Sequence, residues 1–528
     1  MDERKTVTNL RSVFFLKKNI ILISSLSATL LFILFGVFFN DFLTNSFAII
    51  VDAIVSYFGW FYILGGFLFL VVCIYLGFSK YGKLRLGKDS DRPEYSTRTW
   101  IAMLFTAGIG VGLVFWGIAE PVSHYETPPA GEGLTAGAAD TAITSSIFHW
   151  GLGVWAIYGI VALCIAYFQY RKNLPALPSS VFYPILKNKI YGPIGKTIDS
   201  YAVFMVALNT SVVLGMSAIQ LTSGINYLWD VPNNFATQVI IIAIMTVLFM
   251  ISTSSGVNRG MKYLSNTNML LGCLLIVGVF LLGPSVKIIN IMINSTADYI
   301  GTLLPASLRL ETFAENPWIE NWTIFYWAWM CAWTPFVGSF IARISKGRTI
   351  REFILGVLVA PTGIAIVWFS VMGGSAIHLI REAGLTSLID IVNTNNSAAL
   401  FAFLDYFPFS SILNIIAVIV ITLFFITSAD SVTYTLSMYS KNGDANPPNR
   451  LKMLWGVLFA GGSIVLIMSG GIEPMKNVVI AITFPFYILI GFMCYSIVKD
   501  VRKKKLTKQS KQRVVPIDST AEKKVQVR

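Results

Sequence analysis

Long apolar runs separated by short polar breaks recur along this chain from end to end. One bilayer crossing needs about 20 apolar residues. By that measure the runs near residues 19–39, 57–77, 100–119, 142–168, 200–221, 237–253, 267–288, 322–343, 352–373, 410–439, 453–470 and 477–498 predict twelve transmembrane helices. The expected organisation is an all-α integral membrane protein with three parts: a cytoplasmic segment (1–18), a twelve-helix domain (19–498) and a basic cytoplasmic tail (499–528).

Polar positions between the runs carry the orientation. Lys80, Lys83, Arg85, Lys88, Arg92 and Arg98 follow the second run, Arg171 and Lys172 the fourth, and Arg343, Lys346, Arg348 and Arg351 the eighth. The breaks at 40–56, 120–141 and 222–236 hold acidic residues and neither Lys nor Arg. Positive charge is retained on the cytoplasmic side, so both termini are expected there. Composition then closes off other classes. With 55% hydrophobic and 13% charged residues over 528 positions, and a mean hydropathy of +0.68, the chain does not read as a soluble enzyme. Its net charge of +13 is topological and does not point to nucleic acid. The five cysteines sit in apolar runs without metal-ligand spacing, and His124, His149 and His378 suggest neither a zinc site nor a nucleophile–base pair.

Two runs are internally weakened. The third places Gly108, Gly110 and Gly112 at every second position near its middle. That spacing does not line one helix face; it suits a stretch where the helix unwinds and frees backbone groups, or else a close-packed helix crossing. The eighth contains Pro335 close to Gly338, which predicts a second interruption. Runs three and eight would each begin a five-helix unit, and the two units would run in opposite directions. Inverted units whose first helices are both interrupted point to a secondary transporter with its site at the repeat interface.

Candidate chemistry lies beside these breaks. Trp150, Trp155 and Tyr158 in run four, with Trp329 and Trp333 in run eight, are either core packing or the walls of a site for a quaternary ammonium, a cation without N–H groups that aromatic faces attract. In run ten, Thr427 and Ser428 are adjacent hydroxyls that either bond back to their own helix or serve a hard cation such as sodium. Asp430 is the acidic residue well inside that run, a position that suits gating or proton relay, or a cytoplasmic vestibule.

The ordered stretches Gly108–Gly112, Trp116–Pro121, His149 to Tyr158, Phe325–Trp329, Pro335–Arg351 and Phe424–Ser431 resemble the betaine/choline/carnitine transporter family, most closely its glycine betaine transporters from Gram-positive bacteria. The resemblance runs from about residue 55 to residue 500. It implies a LeuT-type inverted repeat of five plus five helices, runs 3–7 and 8–12, preceded by two extra helices. It further implies a homotrimer in the bacterial plasma membrane that imports compatible solutes, mostly with sodium and without a bound cofactor. The family's substrate box carries over onto Trp150, Trp155, Tyr158, Trp329, Met330 and Trp333, with Gly108, Gly110 and Gly112 beside it. Met330 departs from the family's paired tryptophans and removes one ring. Gly112 stands where choline carriers tend to have Asp, which favours a zwitterion over choline; glycine betaine is the expected substrate, with choline or carnitine as the alternative that Met330 keeps open. One family sodium site maps onto the Thr427 and Ser428 hydroxyls, the Phe424 carbonyl and carbonyls around Thr106 and Ile109. The second maps only in part, onto Thr210 and Phe336, since Val206 stands a turn before Thr210. The basic tail reads as a topology anchor and disordered end, or as a segment meeting anionic lipid, as in osmotically regulated relatives. A non-transporting sensor of the same solute is the reading from another class; intact sodium residues argue against it.

Overall fold

The computed structural model describes residues 3–108, 110–254, 258–313 and 316–513. Its helices are α1 (Glu3–Phe38), α2 (Asn40–Phe78), α3 (Thr97–Gly108), α4 (Val111–Glu126), α5 (Ala136–Trp150), α6 (Leu152–Ala166), α7 (Tyr183–Leu186), α8 (Pro193–Trp229) and α9 (Phe235–Ser254). They continue with α10 (Asn258–Leu282), α11 (Ser285–Ser307), α12 (Phe325–Ile344), α13 (Ile350–Glu382), α14 (Ser387–Asn395), α15 (Ala399–Leu404), α16 (Ser410–Ser440), α17 (Asn449–Met468) and α18 (Ile472–Arg513). Among the described residues, extended pairing is limited to one antiparallel bridge between Arg85 and Thr349.

Eleven stretches among the described residues are long and apolar enough to cross a bilayer. The twelfth crossing is α3 with α4, pieces of 12 and 16 residues that are each too short alone. They part after Gly108, and Gly110 is extended at φ −136° and ψ 177°. The glycine alternation therefore marks a true interruption.

Run eight corrects the expectation. α12 continues through Pro335 without unwinding. Proline removes one amide and leaves the carbonyl four residues earlier, that of Cys331, without its helical donor. The Thr334 hydroxyl donates to that carbonyl at 2.7 Å, so the helix closes around the proline. The break that sequence pattern missed lies in run four, at Gly151 between α5 and α6. The Tyr299 hydroxyl of α11 accepts from the Leu152 amide at 2.8 Å, and a Cβ at Gly151 would meet that oxygen at 2.5 Å. Only glycine leaves room for this contact.

Several boundaries also move. α2 starts at Asn40, well before run two, and run seven divides at Gly283–Pro284 into α10 and α11. α18 continues to Arg513, so the first half of the basic tail is helical where a disordered end was expected; residues 514–528 lie outside the description.

Packing reveals the inverted repeat. Exchanging α3/α4 with α12, α5/α6 with α13, α8 with α16, α9 with α17 and α10 with α18 maps several of the helix contacts onto one another. Thus α12 packs on α6 as α4 packs on α13, α17 on α8 as α9 on α16, and α18 on α6 as α10 on α13. α1 and α2 stand outside the repeat, α1 against α8 and α2 against α6 and α18.

The basic loops gather at one end of the molecule. Arg85 donates to Gly347 O, Arg171 to Arg85 O and Gly87 O, and Trp100 Nε1 to Ser345 Oγ. Thr349 and Glu352 form a reciprocal capping box at the start of α13, as a Thr-x-x-Glu spacing allows. At the opposite end, Arg309 reaches Pro129 O and Asn393 holds Glu126.

Candidate functional site

Where α4, α6 and α12 converge, a cavity of about 130 Å³ is lined by Gly110, Gly112, Trp150, Val154, Trp155, Tyr158, Val213, Trp329, Met330, Trp333, Phe336, Val337 and Ser428. All six residues of the expected aromatic box therefore meet at one place. The break at Gly151 brings Trp150, at the end of α5, alongside Trp155 and Tyr158 of α6. Trp150 and Trp329 meet edge to face with centroids 6.1 Å apart, and Trp155 and Tyr158 do so at 5.3 Å. Trp329 is stacked on Phe325 at 5.4 Å and 16°, which fixes its plane. Its Nε1–H is buried with no partner among the described residues. Tyr158 donates its hydroxyl to Met330 Sδ at 2.9 Å, so the thioether is anchored in the wall of the cavity.

The interrupted crossing supplies the polar wall. Gly110 caps α4, and Gly110 and Gly112 line the cavity, so the positive end of the helix dipole meets it. A Cβ on Gly112 would lie 2.5 Å from Trp329 Cη2 and 3.1 Å from Trp150 Cη2. Gly112 is thus the floor on which two box rings rest. Gly108 closes α3.

A second, larger cavity of about 400 Å³ adjoins the first and shares Gly110, Phe336, Val337 and Ser428 with it. Its remaining lining includes Met103, Asn268, Phe340, Phe424, Thr427 and Ser431. Met103 in α3, the half of the interrupted crossing that starts from the basic loop, and Phe340 in the last turns of α12 place it toward the basic end. Thr427, Ser428 and Phe424 therefore share a wall beside the box. The Thr427 hydroxyl donates back to its own helix, to Leu423 O at 2.8 Å and Phe424 O at 3.2 Å, which is the local bonding the sequence allowed as an alternative to a cation. Thr106 lies in the last turn of α3; its side chain, and all of Ile109, fall outside the described residues. Thr210 is buried in α8 and bonds back to Val206 O at 2.6 Å, whereas Phe336 lines both cavities. Asp430 is buried and accepts from Thr253 of α9 at 2.6 Å, a helix-to-helix tie.

On the other side of the box lies a group the motif reading quoted without a role. Glu120, His124 and His149 are fully buried, and their potential ligand atoms all fall within 4.8 Å of one another. Trp150 Nε1 donates to Glu120 Oε2 at 3.0 Å, and Tyr326 donates to the same oxygen at 2.5 Å. The sequence pattern sets Glu120 at the first position of a polar break, which hid it; the structure carries α4 on to Glu126 and places the acid inside the helix.

A family model and the relatives found by sequence agree on one family. Residues 20–506 match the family model described as betaine/carnitine/choline family transporter. The glycine betaine transporter OpuD of Bacillus subtilis is 45% identical over 90% of this chain and 92% of that protein. A probable glycine betaine transporter of Desulfitobacterium hafniense is 40% identical over 92% of this chain and 98% of its own. An ectoine/hydroxyectoine transporter of Virgibacillus pantothenticus is 41% identical over 85% and 89%.

Proposed function

The chain belongs to the betaine/carnitine/choline family of membrane transporters, which are not enzymes, and from that premise we propose that it is a sodium-coupled symporter importing glycine betaine. The observation that carries the reading is the pairing within one small cavity of an aromatic box with the N-terminus of α4. A zwitterion without N–H groups matches both halves. Its trimethylammonium sits among Trp150, Trp155, Tyr158 and Trp329, where each desolvated ring contributes about 2 kcal/mol. Its carboxylate faces the start of α4, where amides and dipole favour negative charge. Among the described residues, no acid lines that cavity to balance a ligand bearing a cation alone.

Sodium enters the reading through the neighbouring wall. Thr427 and Ser428 hydroxyls and the Phe424 carbonyl supply oxygens of the kind a hard cation takes, and the end of α3 presents the negative pole of a helix toward the break. A monovalent cation moving inward gains about 2.3 kcal/mol per 100 mV, enough to accumulate a neutral solute substantially. The positive-inside rule sets the basic end in the cytoplasm. The larger cavity then lies on the cytoplasmic side of the box, which supports an inward-facing arrangement.

One observation favours a second reading. Met330 replaces a ring with a thioether, which suits a cyclic zwitterion such as ectoine that depends less on cation–π contact. Uptake of radiolabelled glycine betaine into proteoliposomes, with and without an inward sodium gradient and with ectoine, choline and carnitine as competitors, separates the two. Sodium-driven betaine uptake that resists choline supports the first reading. Absent betaine uptake with strong ectoine binding replaces it with the second.

A further inference from the structure

The Glu120 cluster admits two chemistries, and donor–acceptor logic separates them. Trp318 Nε1–H can only donate, so His124 Nδ1 accepts from it at 3.0 Å. The proton of His124 is then on Nε2, directed at Glu120 Oε1 3.3 Å away. His149 lies with Nδ1 2.8 Å from Oε1 and Nε2 3.0 Å from the Thr323 hydroxyl, which matches an Nδ1–H donor and an Nε2 acceptor. Trp150 and Tyr326 complete the set on Oε2. Two carboxylate oxygens thus receive two donors each. A metal ion would need the Nε2 lone pair of His124, which is occupied by a proton as long as Trp318 donates to Nδ1. The cluster is a hydrogen-bond hub.

We propose that Glu120 is a positioning residue for the substrate box. Its carboxylate holds the Trp150 indole in the plane that lines the cavity, and it ties α4, α5 and α12 together on the side of the box away from the basic loops. This inference rests on the box being the substrate site. Trp150 is the one box residue bonded directly to the hub, and its ring also meets Tyr326 at 5.5 Å. Glu120→Gln keeps the shape but presents an amide N–H₂ where only donors face it, so at least one donor loses its acceptor and is repelled. Glu120→Asp keeps the acceptor and shortens its reach.

The test uses the full-length protein labelled with 5-fluorotryptophan, with the Trp150 ¹⁹F resonance assigned by its loss in Trp150→Phe. Glycine betaine is titrated in the presence of sodium. The expected result is a displaced Trp150 resonance in Glu120→Gln with or without betaine, a betaine Kd raised roughly tenfold, and an intermediate Kd in Glu120→Asp. The double variant Glu120→Gln/Trp150→Phe binds no more weakly than Trp150→Phe alone, because Glu120 acts through that indole. An unmoved resonance overturns the proposal whatever the substrate proves to be, and so does an additive double variant. Wild-type protein that binds no betaine sinks the substrate assignment instead and leaves the resonance to judge Glu120. If Glu120→Gln is not recovered folded, Glu120→Asp carries both readouts, and a wild-type resonance and Kd there overturn the proposal.

Discussion

Adding one methyl group at Gly112 tests the box more sharply than removing any ring. In Gly112→Ala the new Cβ would stand 2.5 Å from Trp329 Cη2, 3.3 Å from Trp329 Cζ2 and 3.1 Å from Trp150 Cη2. Carbon atoms rest about 3.5–4.0 Å apart, so Trp329 must retreat by about 1 Å or more. It has little room to do so, being stacked on Phe325, and Trp150 is tied to Glu120. Overpacking of this kind costs about 1–3 kcal/mol. Expressed in the substrate-bound state, that is roughly a 5- to 150-fold loss of affinity. Gly110→Ala is the matched control. It lies at the same helix break and lines the same cavity, its φ of −136° suits any residue, and a Cβ there meets nothing within 4 Å. Both variants restrict the unfolded backbone alike, so the comparison isolates the contact with the rings. The assay is betaine affinity by tryptophan fluorescence titration, alongside the KM for uptake. Equal affinities in the two variants, or a wild-type value in Gly112→Ala, would refute the claim that Gly112 supports the box.

Other perturbations probe separate elements. Thr427→Ala is expected to raise the sodium concentration for half-maximal uptake roughly tenfold while betaine binding at saturating sodium changes little, since the proposed site loses one oxygen; an unaltered sodium curve counts against that site. Tyr158→Leu removes a ring and the anchor of Met330, so betaine Kd should rise about tenfold by equilibrium binding, and no change would exclude Tyr158 from the box. Thr334→Val leaves the Cys331 carbonyl beside Pro335 without its donor and should lower unfolding stability by about 1 kcal/mol in a denaturation series in detergent, with uptake largely retained. Deleting residues 502–528 should abolish activation by hyperosmotic shift if the basic tail senses osmotic stress, and activation equal to the full chain would reject that role.

The features legible in the sequence are those carried by local pattern. A run of about 20 apolar residues has few other fates than a crossing, the Lys and Arg of alternate breaks do gather at one end of the molecule, and glycine at every second position in run three does coincide with the interruption at Gly110. The residues expected in the box do line one cavity; the stretches that contain them are contiguous and ordered like those of a known family, and their convergence follows from the inverted repeat. Pro335 misled because proline signals a lost amide but not the hydroxyl one residue before it that repairs the loss. Gly151 was missed for the opposite reason: a lone glycine in an apolar run carries no local signature, and what holds the break open is Tyr299, 147 residues beyond the Leu152 amide it binds. The Glu120 hub was equally hidden, since its carboxylate is satisfied by groups 29, 30 and 206 positions away. Hydropathy reports whether a residue prefers lipid or water, whereas a buried carboxylate is retained only where several distant donors converge on it, and that convergence exists only once the helices have packed.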